Sequence, residues 1–165
     1  MRKDVSARYK NHNQENGKIV RTYQDDTNDI YGPTGYLWTG PIDGKRVIYT
    51  DASKRPDGNF YIGVFDGKSG FSKLIKVKTI QKAELKAIKQ AANRKSVKKY
   101  GAEIRTDSLV AAQMYREKST NSKIEIVVIE SHCESDFGNQ MADNFAKHPK
   151  KKARKLMRKA KQEFF

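Results

Sequence analysis

Cysteine and long apolar runs are both scarce in this 165-residue sequence. The single cysteine, Cys133, cannot form a disulfide within the chain, which agrees with a reducing compartment. No uninterrupted apolar stretch reaches the ~20 residues that a membrane-spanning helix needs. The segment after Met1 is polar and has no apolar region of the kind found in signal peptides. We therefore expect a soluble, intracellular protein located in the cytoplasm.

Acidic residues are also few, with 19 Asp and Glu against 34 Lys and Arg, which gives a net charge of +15. This excess favours a polyanionic partner, either nucleic acid or an anionic membrane surface, and charge alone does not distinguish them. A chain of 18.9 kDa with 36% hydrophobic residues can build one modest core. We expect one domain with an appendage.

Composition divides the chain into three parts. Residues 1–44 are polar and rich in turn formers, which indicates a partly ordered N-terminal extension, anchored by Tyr36, Leu37 and Trp38. Residues 45–148 carry strand and helix patterns typical of a globular domain. Residues 149–165 predict a basic amphipathic helix, and from Lys147 onward there are nine Lys and Arg against one Glu. This helix either packs on the core with a solvated basic face or binds nucleic acid.

The middle part predicts an α/β fold. Three strands, "RVIYTDA", "NFYIGVFD" and "FSKLIKVK", are separated by short turn sequences, so they are expected to pair antiparallel. Helical spacing then begins in "TIQKAELKAIKQAAN", with Thr79 as its N-cap. A strand "AEIRTDS", a helix "SLVAAQMYREKS", a strand "KIEIVVIES" and a helix "NQMADNFAKH" follow. The predicted order is βββαβαβ followed by α.

Four carboxylates fall where these elements would bring them together. Asp51 and Asp107 each follow an apolar strand, and Glu84 and Asp143 lie early on helices that can reach the same edge of the sheet. Any one of them alone is more simply a turn or helix-cap residue. Four together repel one another unless divalent cations bind, and ligands made only of oxygen suit Mg²⁺ or Mn²⁺. Two such ions would promote hydrolysis of a phosphodiester.

Four motifs, "YTDAS", "TIQKAELKAI", "IRTDS" and "SHCESDFGNQMADNFAK", together resemble the ribonuclease H family over about residues 46–147. The resemblance implies a five-stranded mixed sheet, three strands antiparallel and then two parallel, with helices on both faces. It also implies hydrolysis of the RNA strand of RNA/DNA hybrids to 5′-phosphate and 3′-hydroxyl ends with two Mg²⁺ ions. Asp51 would bridge both ions, Glu84 and Asp107 would complete one site, and Asp143 would complete the other. His132 would assist proton transfer or product release.

The resemblance also implies residues that contact the substrate. Gln81 matches a polar position beside the minor groove, and Asn139 matches the asparagine that opens the last helix. Thr79 and Ser108 could hold a phosphate of the DNA strand, and plain helix capping is compatible with that role. The basic protrusion of many relatives has no room in this chain, because "KSTNS" links a helix almost directly to the next strand. We expect a monomer that binds the hybrid and no membrane.

Two other functions remain open at this stage. The chain could be another nuclease of the same superfold, such as a junction resolvase or an integrase-like enzyme, since fold does not settle substrate. It could also be a non-catalytic RNA-binding or ribosome-associated protein. The first is disfavoured by "TIQKAELKAI", which is closer to hybrid-cutting relatives. The second is disfavoured because a scaffold gains nothing from the repulsion among four carboxylates.

Overall fold

One mixed β-sheet organises the chain in the computed structural model, which describes residues 9–15, 18–23, 46–129 and 137–164. The strands are β1 (Tyr9–Glu15), β2 (Lys18–Tyr23), β3 (Val47–Lys54), β4 (Phe60–Phe65), β5 (Gly70–Ile75), β6 (Ala102–Thr106) and β7 (Ile124–Val128). Their order across the sheet is β1-β2-β7-β6-β3-β4-β5. Strands β3, β4 and β5 pair antiparallel, whereas β6 is parallel to both β3 and β7. The five predicted strands are thus confirmed, including their directions.

Two further strands come from the N-terminal part of the chain. Strands β1 and β2 form an antiparallel pair, and β2 runs parallel to β7, so the sheet of the described residues has seven strands rather than five. Sequence patterns assigned no strand to residues 1–44, because the first of these segments, "YKNHNQE", has no apolar alternation. The sequence does contain Asn16-Gly17 between the two strands, a strong hairpin signal. Tyr36, Leu37 and Trp38 lie outside the described residues.

Five helices complete the described part of the chain: α1 (Ile80–Ala92), α2 (Lys95–Tyr100), α3 (Leu109–Lys118), α4 (Phe137–Lys147) and α5 (Lys150–Phe164). Four of them were expected from the sequence. The short helix α2 was not, since its six residues bury only Val97 and so carry no amphipathic pattern. No helix in the described segments is both long and apolar enough to cross a bilayer.

The core lies on both faces of the sheet, because successive side chains of a strand point to opposite sides. On one face, Ile48 belongs to a cluster with residues of α1 and α3. On the other, Tyr49 belongs to a cluster that includes Phe137 and Met141 of α4. Helices therefore cover both faces, as predicted.

Helix α5 packs its apolar face on the protein. Ala153 and Ala160 are buried, and Met157 packs against the cluster that contains Tyr49. Residues on the other side of the helix, including Lys151, are exposed. The predicted amphipathic helix is present, with its apolar stripe on the core and its basic face in solvent.

Candidate metal centre

Strand direction brings two of the predicted carboxylates together. Asp51 is part of β3, and Asp107 follows directly after the end of β6. Since β3 and β6 are parallel neighbours, both residues approach the same edge of the sheet. Glu84 lies in the second turn of α1, which packs on β3 and begins at the N-cap Thr79. The same edge therefore receives a third carboxylate.

Asp51, Glu84 and Asp107 form a compact group that we call the carboxylate triad. One carboxylate oxygen from each residue lies within 4.8 Å of the others. Asp51 is 5% exposed and Glu84 is 7% exposed, and Asp107 is half-buried. The Oδ1 atom of Asp51 accepts a hydrogen bond of 2.9 Å from the backbone N–H of Ala52. The Oε2 atom of Glu84 is buried and has no hydrogen-bond partner among the described residues.

The electrostatics of the triad oppose full ionisation. Burial, followed by the charge of Asp107, raises the pKa of Glu84 to about 8. Burial, followed by the charges of Glu84 and Asp107, raises the pKa of Asp51 well above its usual range. A bound cation would remove both causes, because it replaces lost hydration and neutralises the repulsion. The oxygen-only donor set and the buried Glu84 Oε2 atom therefore fit a hard divalent ion such as Mg²⁺.

Asp143 lies beside the triad, on α4. Its carboxylate is near enough to Asp51 that, after burial and the charges of Glu84 and Asp107, the proximity of Asp143 also raises the pKa of Asp51. At the same time Asp143 Oδ2 accepts an ion-pair contact of 3.0 Å from Lys147 Nζ, one helical turn later. The structure thus brings all four predicted carboxylates to one edge, three as a group and Asp143 next to Asp51.

An open cleft of about 760 Å³ is lined by this group. Besides the four carboxylates, it is lined by Thr79, Gln81 and Ser108, three of the predicted substrate-binding residues. Thr79 and Ser108 also cap their helices, accepting backbone N–H bonds from Lys82 at 3.3 Å and Ala111 at 3.1 Å. Asn139 is 5% exposed in the first turn of α4 and does not appear among the described lining residues. His132 lies outside the described part of the chain.

Sequence reasoning missed two features of the cleft. Three lysines line it: Lys54, Lys78 and Lys147. Of these, Lys147 could have been found from its i,i+4 spacing to Asp143. The cleft also carries the exposed apolar side chains of Leu109 and Val110. Leu109 and Val110 follow the N-cap Ser108, where an apolar residue is usually read as facing the core, so no sequence signal marked them as rim residues.

The strand order β5-β4-β3-β6-β7, with α1 and α3 on one face and α4 on the other, defines a ribonuclease H-like fold. No protein-family model and no curated protein sequence matches the chain.

Solved structures do resemble the chain. The LC11-RNase H1 structure in complex with RNA/DNA hybrid is 21% identical, with a TM-score of 0.43 and coverage of 61% of this chain and 93% of that one. The foamy viral protease-reverse transcriptase structure in complex with dsDNA is 23% identical, with a TM-score of 0.46 and coverage of 65% and 95%. These similarities concern the fold alone.

Proposed function

We propose that this chain is a metal-dependent endonuclease that hydrolyses the RNA strand of RNA/DNA hybrids, leaving 5′-phosphate and 3′-hydroxyl ends. The observation that carries the proposal is the carboxylate triad, which lines an open cleft, has Asp143 beside Asp51, and includes a buried Glu84 oxygen without a hydrogen-bond partner among the described residues. Such a group is unfavourable in a protein that binds no cation. Perturbed carboxylates in a cleft are typical of functional sites.

The residues divide into those that would hold the ions and those that would hold the substrate. Asp51, central to the group, would contact both ions, with Glu84 and Asp107 completing one site and Asp143 the other. Two Mg²⁺ or Mn²⁺ ions would supply an activated water and stabilise the leaving oxygen. The chain's own part is to fix these carboxylates before substrate arrives. Burial on β3 and α1 would do this for Asp51 and Glu84, because the surrounding packing restricts their side chains.

Substrate contacts would come from the walls of the cleft. Gln81 on α1 would reach the minor groove, where a 2′-hydroxyl distinguishes RNA from DNA. Thr79 and Ser108 stand at helix N-termini, where a hydroxyl and backbone amides favour a phosphate. Asn139 and His132 keep the roles implied by the resemblance, in substrate binding and in proton transfer or product release. The lysines of the cleft would offset the charge of the backbone phosphates, and the protein would act as a monomer.

A panel of labelled substrates tests the proposal directly. The purified protein is incubated with RNA/DNA hybrid, double-stranded RNA, double-stranded DNA and a four-way junction, each with Mg²⁺ and with EDTA. We expect cleavage of the RNA strand of the hybrid only, dependent on Mg²⁺ and lost in the Asp51→Asn variant. End-labelling of the products should reveal 5′-phosphate and 3′-hydroxyl termini.

The same panel separates the other functions. Efficient cutting of the DNA duplex or the four-way junction would favour an integrase-like enzyme or a junction resolvase. Ile80 makes RNA-strand recognition the point to test, because this exposed residue of the cleft is apolar where the resemblance implies a second polar groove-reading residue. Binding of RNA without any metal-dependent cleavage would favour a non-catalytic RNA-binding or ribosome-associated protein.

A further inference from the structure

Arg55 makes an unusual set of contacts with the end of α4. This residue follows directly after β3, and its guanidinium is half-buried. Its Nε atom donates a hydrogen bond of 2.9 Å to the carbonyl oxygen of Ala146. Its Nη2 atom lies 2.8 Å from the carbonyl oxygen of His148 and 3.2 Å from that of Phe145. The same atom is 2.7 Å from the hydroxyl of Ser72 on β5.

These contacts stabilise the last turn of the helix that carries Asp143. The final carbonyl groups of an α-helix have no partner within the helix, and a positive charge there also interacts favourably with the helix dipole. Arg55 supplies donors to two of these carbonyls and to the one that follows the helix. A planar guanidinium can do this from one position, whereas a lysine ammonium on a flexible stem cannot reproduce the fork.

Arg55 is itself held in place by the turn between β3 and β4. Its guanidinium carbon lies 3.6 Å from the centre of the Tyr61 ring, and the Tyr61 hydroxyl donates a bond of 2.6 Å to Asp57 Oδ2. The backbone N–H of Arg55 donates to the carbonyl of Asn59 at 2.9 Å, which closes the turn. The arginine therefore has little freedom to follow α4 if the helix moves.

A second contact seats α4 beside the triad. Gly63 on β4 is the strand partner of Asp51, and a Cβ atom at this position would collide with the carbonyl oxygen of Ala142 and the backbone nitrogen of Ala146. The backbone of α4 thus lies directly on the strand next to Asp51. Gly63 sets the distance of the helix from the sheet, and Arg55 fixes the end of the helix.

We propose that Arg55 is a positioning residue that holds Asp143 at the distance from Asp51 needed for divalent metal binding. The inference rests on the proposed function, since it assigns Asp143 to the metal centre. Asp143 lies three residues before Ala146, so loosening of the last turn would let its carboxylate turn away from the triad. Repulsion between Asp143 and Asp51 would drive that movement in the metal-free protein.

The test compares Arg55→Lys with Arg94→Lys. Arg94 is the control, because it also lies over an aromatic ring, Phe71 at 5.5 Å, and its guanidinium is likewise engaged, in an ion pair with Asp66 at 3.3 Å. Arg94 is not among the described residues that line the cleft. Mn²⁺ affinity is measured by calorimetry without nucleic acid, and thermal melts establish that each variant is folded. We expect Arg55→Lys to weaken Mn²⁺ binding about tenfold and Arg94→Lys to leave it unchanged.

Two further measurements separate positioning from general loss of structure. In an Asp143→Asn background, Arg55→Lys should change Mn²⁺ affinity less than twofold, whereas a second tenfold loss would overturn the proposal. In the cleavage assay, raised Mn²⁺ should restore the turnover of Arg55→Lys without a change in the KM for hybrid. Should Arg55→Lys fail to fold, Tyr61→Leu keeps the arginine and removes its support. Wild-type Mn²⁺ affinity in a folded Arg55→Lys or in Tyr61→Leu contradicts the inference.

The wild-type measurement distinguishes failure of the inference from failure of the proposed function. If the wild-type protein binds no Mn²⁺ and no Mg²⁺, the metal centre itself is wrong, and the role of Arg55 falls with it. If the wild-type protein binds Mn²⁺ and Arg55→Lys binds it equally well, the metal centre stands and the positioning role of Arg55 is wrong.

Discussion

Two glutamates are buried in this protein under opposite electrostatic conditions. Glu103 on β6 is 1% exposed and forms an ion pair of 2.9 Å with Arg105, whose guanidinium also bonds to the Tyr49 hydroxyl. Glu84 on α1 is 7% exposed, faces Asp51 and Asp107, and has one oxygen with no hydrogen-bond partner in the described structure. Both carboxylates lose hydration, but within the described structure only that of Glu103 is compensated by a cation of the chain itself.

The difference separates a structural charge from a functional one. A buried carboxylate that is paired with arginine is neutralised within the protein. Removing either partner leaves the other as an uncompensated buried charge. A buried carboxylate that faces other carboxylates is stable only when a cation from solution joins it, or when it takes up a proton. Burial alone would make Glu103 and Glu84 look alike, and their neighbours decide which one binds a ligand.

The largest expected effect comes from Asp51→Asn. The substitution removes the carboxylate at the centre of the group, so hybrid cleavage should fall by several orders of magnitude, and Mg²⁺ should bind more weakly. It also removes repulsion, so the metal-free protein should become more stable by about 1 kcal/mol or more. Thermal melts in EDTA, run beside a cleavage assay in Mg²⁺, measure both. A less stable variant that still cuts at near wild-type rate would mean that Asp51 is structural.

The second prediction exchanges the two glutamates for glutamine. Glu103→Gln should destabilise the protein by about 3 kcal/mol, because Arg105 remains buried without its carboxylate. Glu84→Gln should instead stabilise the metal-free protein while abolishing cleavage. Denaturant titrations in EDTA give the two free energies of unfolding. If both substitutions destabilise the protein to a similar degree, the proposed contrast between a paired Glu103 and a repelled Glu84 is wrong.

The third prediction concerns how the raised pKa of Glu84 makes the stability of the metal-free protein depend on pH. The pKa of Glu84 is about 8 in the folded protein against 4.5 as its ordinary value. Between these values the folded state holds more protons than the unfolded state, so the free energy of unfolding should decrease as pH rises from about 4.5 to 8. Coupling within the triad spreads the titration over several groups, and we expect a loss on the order of 2 kcal/mol.

The control for this pH dependence is Glu84→Gln. The difference in stability between wild type and Glu84→Gln, measured in EDTA at several pH values, isolates the contribution of the triad from other titrating groups. It should grow with pH in EDTA and shrink in excess Mg²⁺, because bound cation favours the ionised carboxylates. A difference that is the same at pH 5 and pH 9 in EDTA would contradict the raised pKa.

The sequence predicted the elements that carry the site and missed those without a pattern. Asp51 and Asp107 were found because each follows an apolar run in the sequence, and parallel pairing of β3 and β6 then brings them together, although β3 continues three residues beyond Asp51. Helix α2 and strand β1 were not predicted, because neither carries apolar residues at a regular spacing. The ion pair of Glu103 and Arg105 was not predicted either, because two charged residues in "AEIRT" suggest a solvent-exposed face of the strand. In the structure both residues are buried, and they neutralise each other in the core.

Contacts with α4 were beyond prediction for a different reason. The role of Gly63 depends on which helix backbone lies on it, and the role of Arg55 depends on three carbonyl groups some 90 residues away in sequence. Neither relation leaves a local pattern, because both arise from tertiary packing. Lys147 and Asp143, by contrast, lie one turn apart on a single helix, and their spacing alone predicts the ion pair.

The smallest expected effect concerns charge that is uncompensated but exposed, on the basic face of α5. Deleting this helix would expose the core, since Ala153 and Ala160 are buried, so substitution is the cleaner test. We predict that replacing the exposed residues Lys151, Lys155 and Arg158 with glutamine weakens hybrid binding and reduces its salt dependence. The slope of the logarithm of the binding constant against the logarithm of the salt concentration should become shallower by about 0.9 for each phosphate that is no longer neutralised. Stability and turnover at saturating substrate should stay nearly unchanged, because exposed charges are already solvated.

A triple glutamine variant of α2 provides the matched control for α5. Lys95, Lys98 and Lys99 are equally exposed, but α2 precedes β6, whereas the carboxylate triad lies beyond the other end of that strand. Both variants remove three positive charges, so a general effect of net charge would weaken hybrid binding equally in both. A contact between α5 and the hybrid would lower the salt slope in the α5 variant only. If the α5 variant keeps the wild-type affinity and slope, the basic face of α5 is simply the solvated side of a packed helix, and the cleft alone binds the nucleic acid.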